Sequence, residues 1–390
     1  MSRLSRLIAP AALLCGVLLA ACAPHIASET PLPEAKPAPA APKEGPVTVA
    51  LLAPSTSSDQ NVAQLGKAVA DAARLAERDL NDPELKLRVY DTRGDAREAE
   101  RVARQALDEG ASLILGPLFG ESTRAVAPIA RSAGVNVISF STDSSIAGGP
   151  VYVSGFLPEK AAERIAGFAK ARGYDPIAVL YPETQYGRMA LAGAESAAGS
   201  ALAARVSYPR TIEAIPSATE QFARQVQDSG ARGLLLAESG QGLAYLAALV
   251  TEKPLGADYR LLGLGEWDTR STLDAPELVG GWFASIDPGA LRSFVDRYRS
   301  QYGSVPPRLA FLGYDAVQIA GQLLAEARRT GANDPFAQAA LTRAEGFRGA
   351  VGPVRLLSDG TSQRGLAILE VGRGSFHVVD PAPGALGAGS

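Results

Sequence analysis

The chain is nearly free of cysteine and histidine. Its 390 residues include only two cysteines, Cys15 and Cys22, and two histidines, His25 and His377. All of these except His377 lie near the N-terminus, ahead of any segment that could build a core. A disulfide or a cysteine-based zinc site in the folded part is therefore excluded, and its stability must come from packing.

The shortage of histidine also argues against catalysis. A Ser-His-Asp triad would have to use His377, in a terminal hairpin, and no Gly-x-Ser-x-Gly turn precedes a helix. A phosphate-binding loop of the Gly-x-x-x-x-Gly-Lys type is missing as well. Two carboxylates such as Asp143 and Glu266 could serve a glycosidase, but facing acids are usually structural. We expect a protein that is not an enzyme, with no metal site and no cofactor.

A basic surface is absent too. The formal net charge is −3 and the isoelectric point is about 5.7, so nucleic acid is not an expected partner. With 46% hydrophobic residues the chain can bury a large core, and its length predicts two domains or lobes.

The N-terminus is typical of an exported protein. Arg3 and Arg6 precede an apolar run at residues 7–21, which is short for a membrane anchor helix, the alternative interpretation. The sequence LAAC at residues 19–22 resembles the bacterial lipobox, which implies cleavage before Cys22 and lipid attached to its thiol. Ala23 follows where retention at the inner membrane would favour aspartate. We therefore expect a periplasmic lipoprotein anchored in the outer membrane, with a signal peptide at residues 1–21.

Residues 22–46 have a different composition, in which prolines alternate with alanine, lysine and glutamate. Such a segment cannot build a core and is predicted to be an extended tether. At about 3.1 Å per residue, a fully polyproline-like tether reaches roughly 70 Å.

The remaining chain alternates short apolar runs with amphipathic segments, a pattern typical of parallel α/β sheets. Residues 111–143 show it best, with a strand at 112–115, a helix, and a second strand at 135–140. Polar loops follow both strands, at residues 116–123 and 139–145. Because ligands bind at the carboxyl ends of neighbouring parallel strands, these loops are predicted to form one wall of a binding site.

A second round of strands and helices begins near residue 158, and hairpin-like alternation ends the chain. We therefore predict an α/β fold with two doubly wound parallel-sheet lobes and a ligand cleft between them. The predicted first lobe is 47–157 plus 288–340. The predicted second lobe is 158–287 plus 341–381, and 382–390 is expected to be a disordered tail.

From residue 47 to about 380 the pattern resembles the type 1 periplasmic binding fold of leucine, isoleucine and valine receptors. The short sequences that carry the resemblance are VALLAP at 49–54, VYD at 89–91, LGP at 115–117, VAPIA at 126–130, VIS at 137–139 and QYG at 185–187. Three others, GPLF at 116–119, FSTD at 140–143 and GFLPE at 155–159, look most like the lipoproteins called penicillin-binding protein activators. Those proteins share the fold and are implicated in stimulating peptidoglycan synthases.

The resemblance to the receptors also implies roles for individual residues. Receptors hold the ligand carboxylate with hydroxyls and amides of the first lobe, and the ammonium with an acid of the second. Tyr186 matches a ligand-facing tyrosine and Glu266 matches the ammonium-binding acid. The first lobe departs from the receptor pattern, since Gly120 stands where a serine is expected and Asp143 where a threonine is expected.

A one-residue shift would put Thr142 at the threonine position instead. Glu121 lies beside Gly120, so this wall carries two acids, Glu121 and Asp143. Each would repel a ligand carboxylate by about 1 kcal/mol if exposed. A free amino acid is therefore a poor fit.

The candidate cleft comprises eight residues: Ser55, Gly120, Ser122, Ser141, Thr142, Asp143, Tyr186 and Glu266. The alternative for the hydroxyls is that they only cap helices and satisfy loop backbone. Trp267 and Trp282 are expected to be core or hinge residues.

Two functions remain open at this point. The first is a penicillin-binding protein activator that regulates peptidoglycan synthesis by contacting a membrane-bound synthase. The alternative is the solute receptor of an ABC transporter, whose permease would be its partner and whose ligand would be an amino acid or related molecule. A muropeptide is a further candidate ligand.

Overall fold

The structure is a computed structural model that describes residues 45–256 and 258–386. The predicted signal peptide, the lipidation site Cys22 and nearly all of the tether lie outside the described residues, so these remain predictions. Within the described part of the chain, no helix is both long enough and apolar enough to cross a membrane.

The first lobe opens the described chain as a series of strand and helix units. Its elements are β1 (Val47–Ala53), α1 (Gln60–Leu80), β2 (Leu85–Asp91), α2 (Ala96–Asp108), β3 (Leu113–Leu115), α3 (Gly120–Ala133), β4 (Asn136–Ser139) and β5 (Val151–Val153). The five strands form a parallel sheet in the order β2-β1-β3-β4-β5. The sequence predicted four of these strands and missed β5.

Both faces of this sheet are covered, which explains the continuous apolar runs of its strands. Val49 and Leu51 of β1 point into one buried cluster, and Ala50 and Leu52 into another on the opposite face. The second lobe repeats the arrangement with its own two clusters.

The second lobe follows as α4 (Pro158–Ala171), β6 (Ile177–Pro182), α5 (Gln185–Ala198), β7 (Leu202–Tyr208), α6 (Ile215–Ser229), β8 (Gly233–Leu236), α7 (Gly240–Thr251), β9 (Arg260–Gly263), α8 (Arg270–Leu273) and β10 (Trp282–Ser285). The chain then returns to the first lobe with α9 (Pro288–Tyr302), α10 (Phe311–Thr330), α11 (Gln338–Leu341), β11 (Phe347–Gly349), β12 (Gly352–Leu356) and β13 (Ser362–Arg364). It ends with β14 (Ala367–Val371) and β15 (Phe376–Asp380).

The second sheet has seven strands in the order β15-β14-β10-β9-β8-β6-β7. Strands β10, β9, β8, β6 and β7 are parallel, whereas β14 and β15 add an antiparallel hairpin at one edge. The hairpin-like alternation predicted at the end of the chain includes β14 and β15, which are joined by a turn at residues 372–375.

Residues 341–364 belong to the first lobe, which corrects the predicted boundary. Leu341, Phe347, Val354 and Leu356 lie in the same buried cluster as helices α1 and α10. Only β14 and β15 cross to the second lobe. Apolar alternation indicates a strand but not which sheet it joins, so the sequence assigned this segment to the wrong lobe.

The start of the expected disordered tail is also ordered. Leu386 is 6% exposed, and Ala382 packs against the second-lobe core. The tail prediction is therefore wrong for residues 382–386, while 387–390 lie outside the described residues.

Three crossovers join the lobes, at residues 154–157, 286–287 and 365–366. Arg364, next to the third crossover, donates from Nη2 to the carbonyl oxygen of Ser154 at 3.0 Å, at the first crossover. Its Nη1 lies 2.7 Å from Oδ2 of Asp315 on α10. These contacts tie two crossovers to the long helix of the first lobe.

The turn between β12 and β13 covers one edge of the first sheet. β5 is the last strand of that sheet, and its Val153 amide donates to the carbonyl oxygen of Gly360 at 2.7 Å. A Cβ at Gly360, where φ is +86°, would lie 2.2 Å from the amide nitrogen of Gly148. The turn can sit this close only because residue 360 is glycine.

Candidate functional site

The first wall of the candidate site lies at the carboxyl ends of β3 and β4, where α3 begins. An ideal Cβ on Gly120 would be 3.3 Å from Oδ2 of Asp143 and 3.4 Å from Oγ of Ser141. The structure thus brings three of the predicted site residues into contact. The first turn of α3 also presents its free backbone amides on this side of the sheet.

Hydroxyl groups of this wall are partly used for internal hydrogen bonds. Oγ of Ser141 accepts from the Asp143 amide at 3.0 Å, and the Ser141 amide donates to Oγ of Ser139 at 3.2 Å. Ser139 in turn shares a 2.8 Å hydrogen bond with Thr123. These contacts favour the structural role that was the alternative for Ser141.

The other predicted hydroxyls differ in exposure. Ser122 is buried on α3, Thr142 is exposed, and Ser55 is half-buried just after β1. Of these three, Thr142 is therefore the side chain most open to a ligand.

Asp143 is bonded from both lobes. It accepts from Arg124 of α3 and from the amide nitrogen of Ser145 at 2.9 Å, and also from the side chain of Gln185 in the second lobe. Burial disfavours the charged carboxylate, but the hydrogen bonds from Ser145 and the charge of Arg124 outweigh it and hold the pKa of Asp143 below its ordinary value. Asp143 is therefore an ionised, lobe-bridging group.

The second wall carries the two residues that the receptor resemblance singled out. Tyr186 lies in the first turn of α5, after β6, and Glu266 follows β9. The Tyr186 hydroxyl donates to Oε2 of Glu266 at 2.7 Å. Burial, together with the charge and hydrogen bond of Glu266, raises the pKa of Tyr186 well above its ordinary value, so the phenol remains a donor.

Sequence reasoning missed a second tyrosine and acid beside this pair. Tyr208 ends β7 and Glu238 follows β8, and the Tyr208 hydroxyl donates to Oε2 of Glu238 at 2.6 Å. Glu238 is 5% exposed and also accepts from the Ser239 amide at 3.0 Å, with the guanidinium of Arg210 at 3.7 Å. The rule that polar residues gather at the carboxyl ends of parallel strands would have found both.

A second bridge between the lobes lies next to this wall. Nη2 of Arg308, just ahead of α10, is 2.8 Å from Oδ2 of Asp268, two residues beyond Glu266. The walls are thus held together by Arg308–Asp268 and by Gln185–Asp143. Trp267, between Glu266 and Asp268, is fully buried and packs on Gly263, as expected of a core residue.

Trp282 is also a core residue. It is 7% exposed, its Nε1 donates to Oε2 of Glu370 at 2.9 Å, and Arg260 stacks over its ring. Among residues 45–256 and 258–386, no group of three or more histidine, cysteine, aspartate and glutamate side chains is arranged to hold a metal.

Comparisons with known protein families and solved structures agree with the fold described above. A family model described as "Periplasmic binding protein" matches residues 46–375. This family is one of binding proteins rather than enzymes. No curated protein sequence matches the chain.

Several solved structures share the fold. A protein assigned to a branched-chain amino acid ABC transporter from Rhodospirillum rubrum is 20% identical, with a TM-score of 0.73 over 86% of this chain and 100% of that chain. An ABC transporter substrate-binding protein from Desulfitobacterium hafniense in complex with Leu is 19% identical, with a TM-score of 0.62 over 85% and 99%.

A third similar structure is a solute-binding protein of an ABC transporter from R. palustris in complex with benzoate. It is 17% identical, with a TM-score of 0.60 over 88% of this chain and 98% of that chain. At these identities the likeness shows the fold, and the predicted α/β architecture of two parallel-sheet lobes is confirmed.

Proposed function

The chain belongs to the periplasmic binding protein family, and we propose that it is the solute receptor of an ABC transporter. The observation that carries this proposal is the contact between Tyr186 and Glu266, which join from separate strand ends at the second-lobe wall. A phenol that stays protonated orients the carboxylate, and no residue in the described part of the chain donates to its second oxygen, which can accept from a ligand.

The charges of the two walls favour a ligand that carries an amine. Glu266 is exposed and offers its carboxylate to an ammonium group. Opposite it, the start of α3 offers backbone amides and Thr142 a hydroxyl, but Asp143 is ionised. Arg124 offsets the charge of Asp143, but a free α-carboxylate has no hydrogen to donate to this acceptor, whereas an amide has. We therefore propose an amino acid derivative whose carboxyl group is blocked, such as an amide or a small peptide.

Titration calorimetry with amino acids, their amides and short peptides tests this function. We expect tight binding of at least one amine ligand, and a stabilisation of about 2.7 kcal/mol at a ligand concentration of 100 Kd. Glu266→Gln should weaken binding by about a hundredfold or more, because the ammonium loses its charged partner. Glu252→Gln, on the far end of α7, removes the same charge away from the wall and should leave binding unchanged.

The same experiment can overturn the proposal. If no amine ligand binds, or if Glu266→Gln binds as tightly as the unaltered protein, the cleft is not a receptor site for amines.

A penicillin-binding protein activator is the second candidate, and one contact favours it. The side chain of Gln185 already donates a hydrogen bond to Asp143, so this part of the first wall holds the lobes together instead of facing a ligand. The outer-membrane anchor predicted from Cys22 and Ala23 also suits this function better than docking on a permease. The comparisons do not support it, because the similar structures reported above are transporter proteins.

Pull-down separates the two candidates. Capture of a peptidoglycan synthase from detergent-solubilised membranes, retained in Glu266→Gln and accompanied by no amine binding, would support the activator. Capture of a permease together with amine binding would support the receptor.

A further inference from the structure

The first lobe has a cavity of about 560 Å³ that lies away from the candidate cleft. It opens between α9, α10 and β11. Its lining consists of Ser293, Phe294, Arg297, Tyr314, Gln318, Arg348, Gly349 and Ala350. A volume of this size is sufficient for a small organic molecule.

Two guanidinium groups from separate elements line this cavity. Arg297 is on α9, and its Nη1 donates to Oδ2 of Asp79 and to the Tyr314 hydroxyl, each at 2.8 Å. The Tyr314 hydroxyl is itself used, since it donates to Asp79 at 2.7 Å. Among the described residues, Arg297 is hydrogen-bonded through Nη1 alone, so its other N–H groups are available to a ligand.

Arg348 is held differently, by its backbone. The side-chain amide of Gln322 on α10 accepts from the Arg348 amide at 3.1 Å and donates to its carbonyl oxygen at 2.9 Å. Within the described part of the chain, no residue accepts a hydrogen bond from the Arg348 guanidinium. The backbone of Arg348 is thus fixed, while its guanidinium group is available to a ligand.

The wall between the two arginines is built closely against α10. A Cβ on Gly349 would lie 2.8 Å from Oδ1 of Asp315, and the Ala350 amide donates to that oxygen at 2.6 Å. The negative charge of Asp315 is balanced by Arg364 from the other side. Asp79 pairs with Arg297, and no carboxylate among the described residues lies within ion-pair distance of Arg348, so the lining of the cavity keeps a positive excess.

We propose that this cavity binds a small organic anion, with a carboxylate or phosphate group between Arg297 and Arg348 and its apolar part against Phe294. Paired arginines suit this chemistry because each presents a planar fork of donors to an oxyanion. Gln318 and Ser293 supply further polar contacts for the organic part.

Calorimetric titration of the full-length protein with citrate and with glucose 6-phosphate tests the proposal, with glucose as the neutral match for the phosphate ester. We expect saturable binding of at least one anion and none of glucose. Arg348→Gln should weaken it about tenfold, since a charged pair of hydrogen bonds is lost. The Arg348 side chain has no bonded partner in the described structure, so this variant should fold normally.

Two control variants make the result decisive. Arg299→Gln removes the same charge from the opposite face of α9 and should change affinity less than twofold, a bound set by the weak long-range effect of exposed charges. Glu266→Gln should also leave anion binding intact. The proposal is overturned if neither anion binds, if Arg299→Gln weakens binding as much as Arg348→Gln, or if Glu266→Gln abolishes it.

Discussion

Arg364 and Asp315 form an enclosed ion pair, with Nη1 2.7 Å from Oδ2 and side-chain exposures of 6% and 0%. The pair lies where the third crossover leaves the first lobe. Burial raises the pKa of Asp315, although the charge of Arg364 opposes this, so the carboxylate depends on its partner. The start of the third crossover is therefore sensitive to loss of either residue.

Replacing Arg364 by methionine should destabilise the protein by about 3–5 kcal/mol, because it leaves Asp315 buried without its counter-charge. Urea denaturation measures this. Arg329→Ala breaks an exposed pair with Glu326 and should cost at most about 1 kcal/mol. Replacing both residues, as Asp315→Leu with Arg364→Met, should be less harmful than Arg364→Met alone; equal losses for Arg364→Met and Arg329→Ala would contradict the argument.

Removing the Gln185 side chain with Gln185→Ala should loosen the contact between the lobes and increase the radius of gyration in small-angle X-ray scattering. Gln105→Ala removes an amide that donates to Glu109 within the first lobe and should have no such effect. An unchanged radius in Gln185→Ala would show that the Gln185–Asp143 contact does not hold the lobes together.

The same bridge should depend on pH through Asp143. Its pKa is lowered in the folded protein, so the ionised form stabilises the fold above the ordinary pKa of aspartate. This contribution is lost as pH falls through the lowered pKa. We expect the scattering profile at pH 5 to match that at pH 7, with expansion only in more acidic solution.

Tyr208→Phe should destabilise the second lobe by about 1–3 kcal/mol, because buried Glu238 loses a donor while remaining enclosed. Tyr245→Phe is the matched control, since Tyr245 is 40% exposed and its hydroxyl has no bonded partner among the described residues. Chemical denaturation of both variants decides the matter, and equal stabilities would mean that the hydroxyl of Tyr208 is easily replaced by water.

Glu159→Gln should raise the melting temperature at pH 7. Burial at the start of α4 raises the pKa of Glu159, although a hydrogen bond with Ser144 opposes this, and its Oε2 has no hydrogen-bond partner in the described structure. A raised pKa contributes stability below the ordinary value, and this is lost as pH rises through the folded value. The gain should shrink toward pH 4, and Glu163→Gln, in a half-buried pair with Lys160, should show neither effect.

Two glycine-to-alanine substitutions should have opposite signs. A Cβ on Gly313 would lie 2.1 Å from the Val69 carbonyl oxygen, where α10 meets α1, so Gly313→Ala should cost about 1–3 kcal/mol. Gly167 on α4 has nothing within 4 Å of an added Cβ, so Gly167→Ala should stabilise by about 0.5–1 kcal/mol. Thermal unfolding of both variants tests whether close helix contact, rather than helix propensity, sets the result at Gly313.

Much of the fold follows from local patterns. Apolar runs such as residues 47–52 predicted strands covered on both faces, and the structure has them. The lobe of residues 341–364 could not be predicted, because alternation is a property of one strand whereas sheet membership depends on distant partners.

The candidate site was predictable to a similar extent. Gly120, Ser141 and Asp143 come together because β3 and β4 are adjacent and their loops share one edge. The contact of Asp143 with Gln185 depends on how the lobes face each other, which no local pattern encodes. Tyr208 and Glu238 could have been predicted from the same rule, since both lie at the carboxyl ends of parallel strands. They were missed because the receptor resemblance assigned no role to either position. The binding roles of the eight predicted site residues stay predictions.

The hydrogen bond from the Val153 amide to the carbonyl oxygen of Gly360 has a consequence for solubility. An outermost β-strand with free hydrogen-bonding groups can recruit a strand from another molecule and start aggregation. The turn that carries Gly360 covers β5 and so protects this edge strand from pairing with another molecule. A chain cut short before this turn would expose that strand, and the first lobe alone would then be prone to self-association.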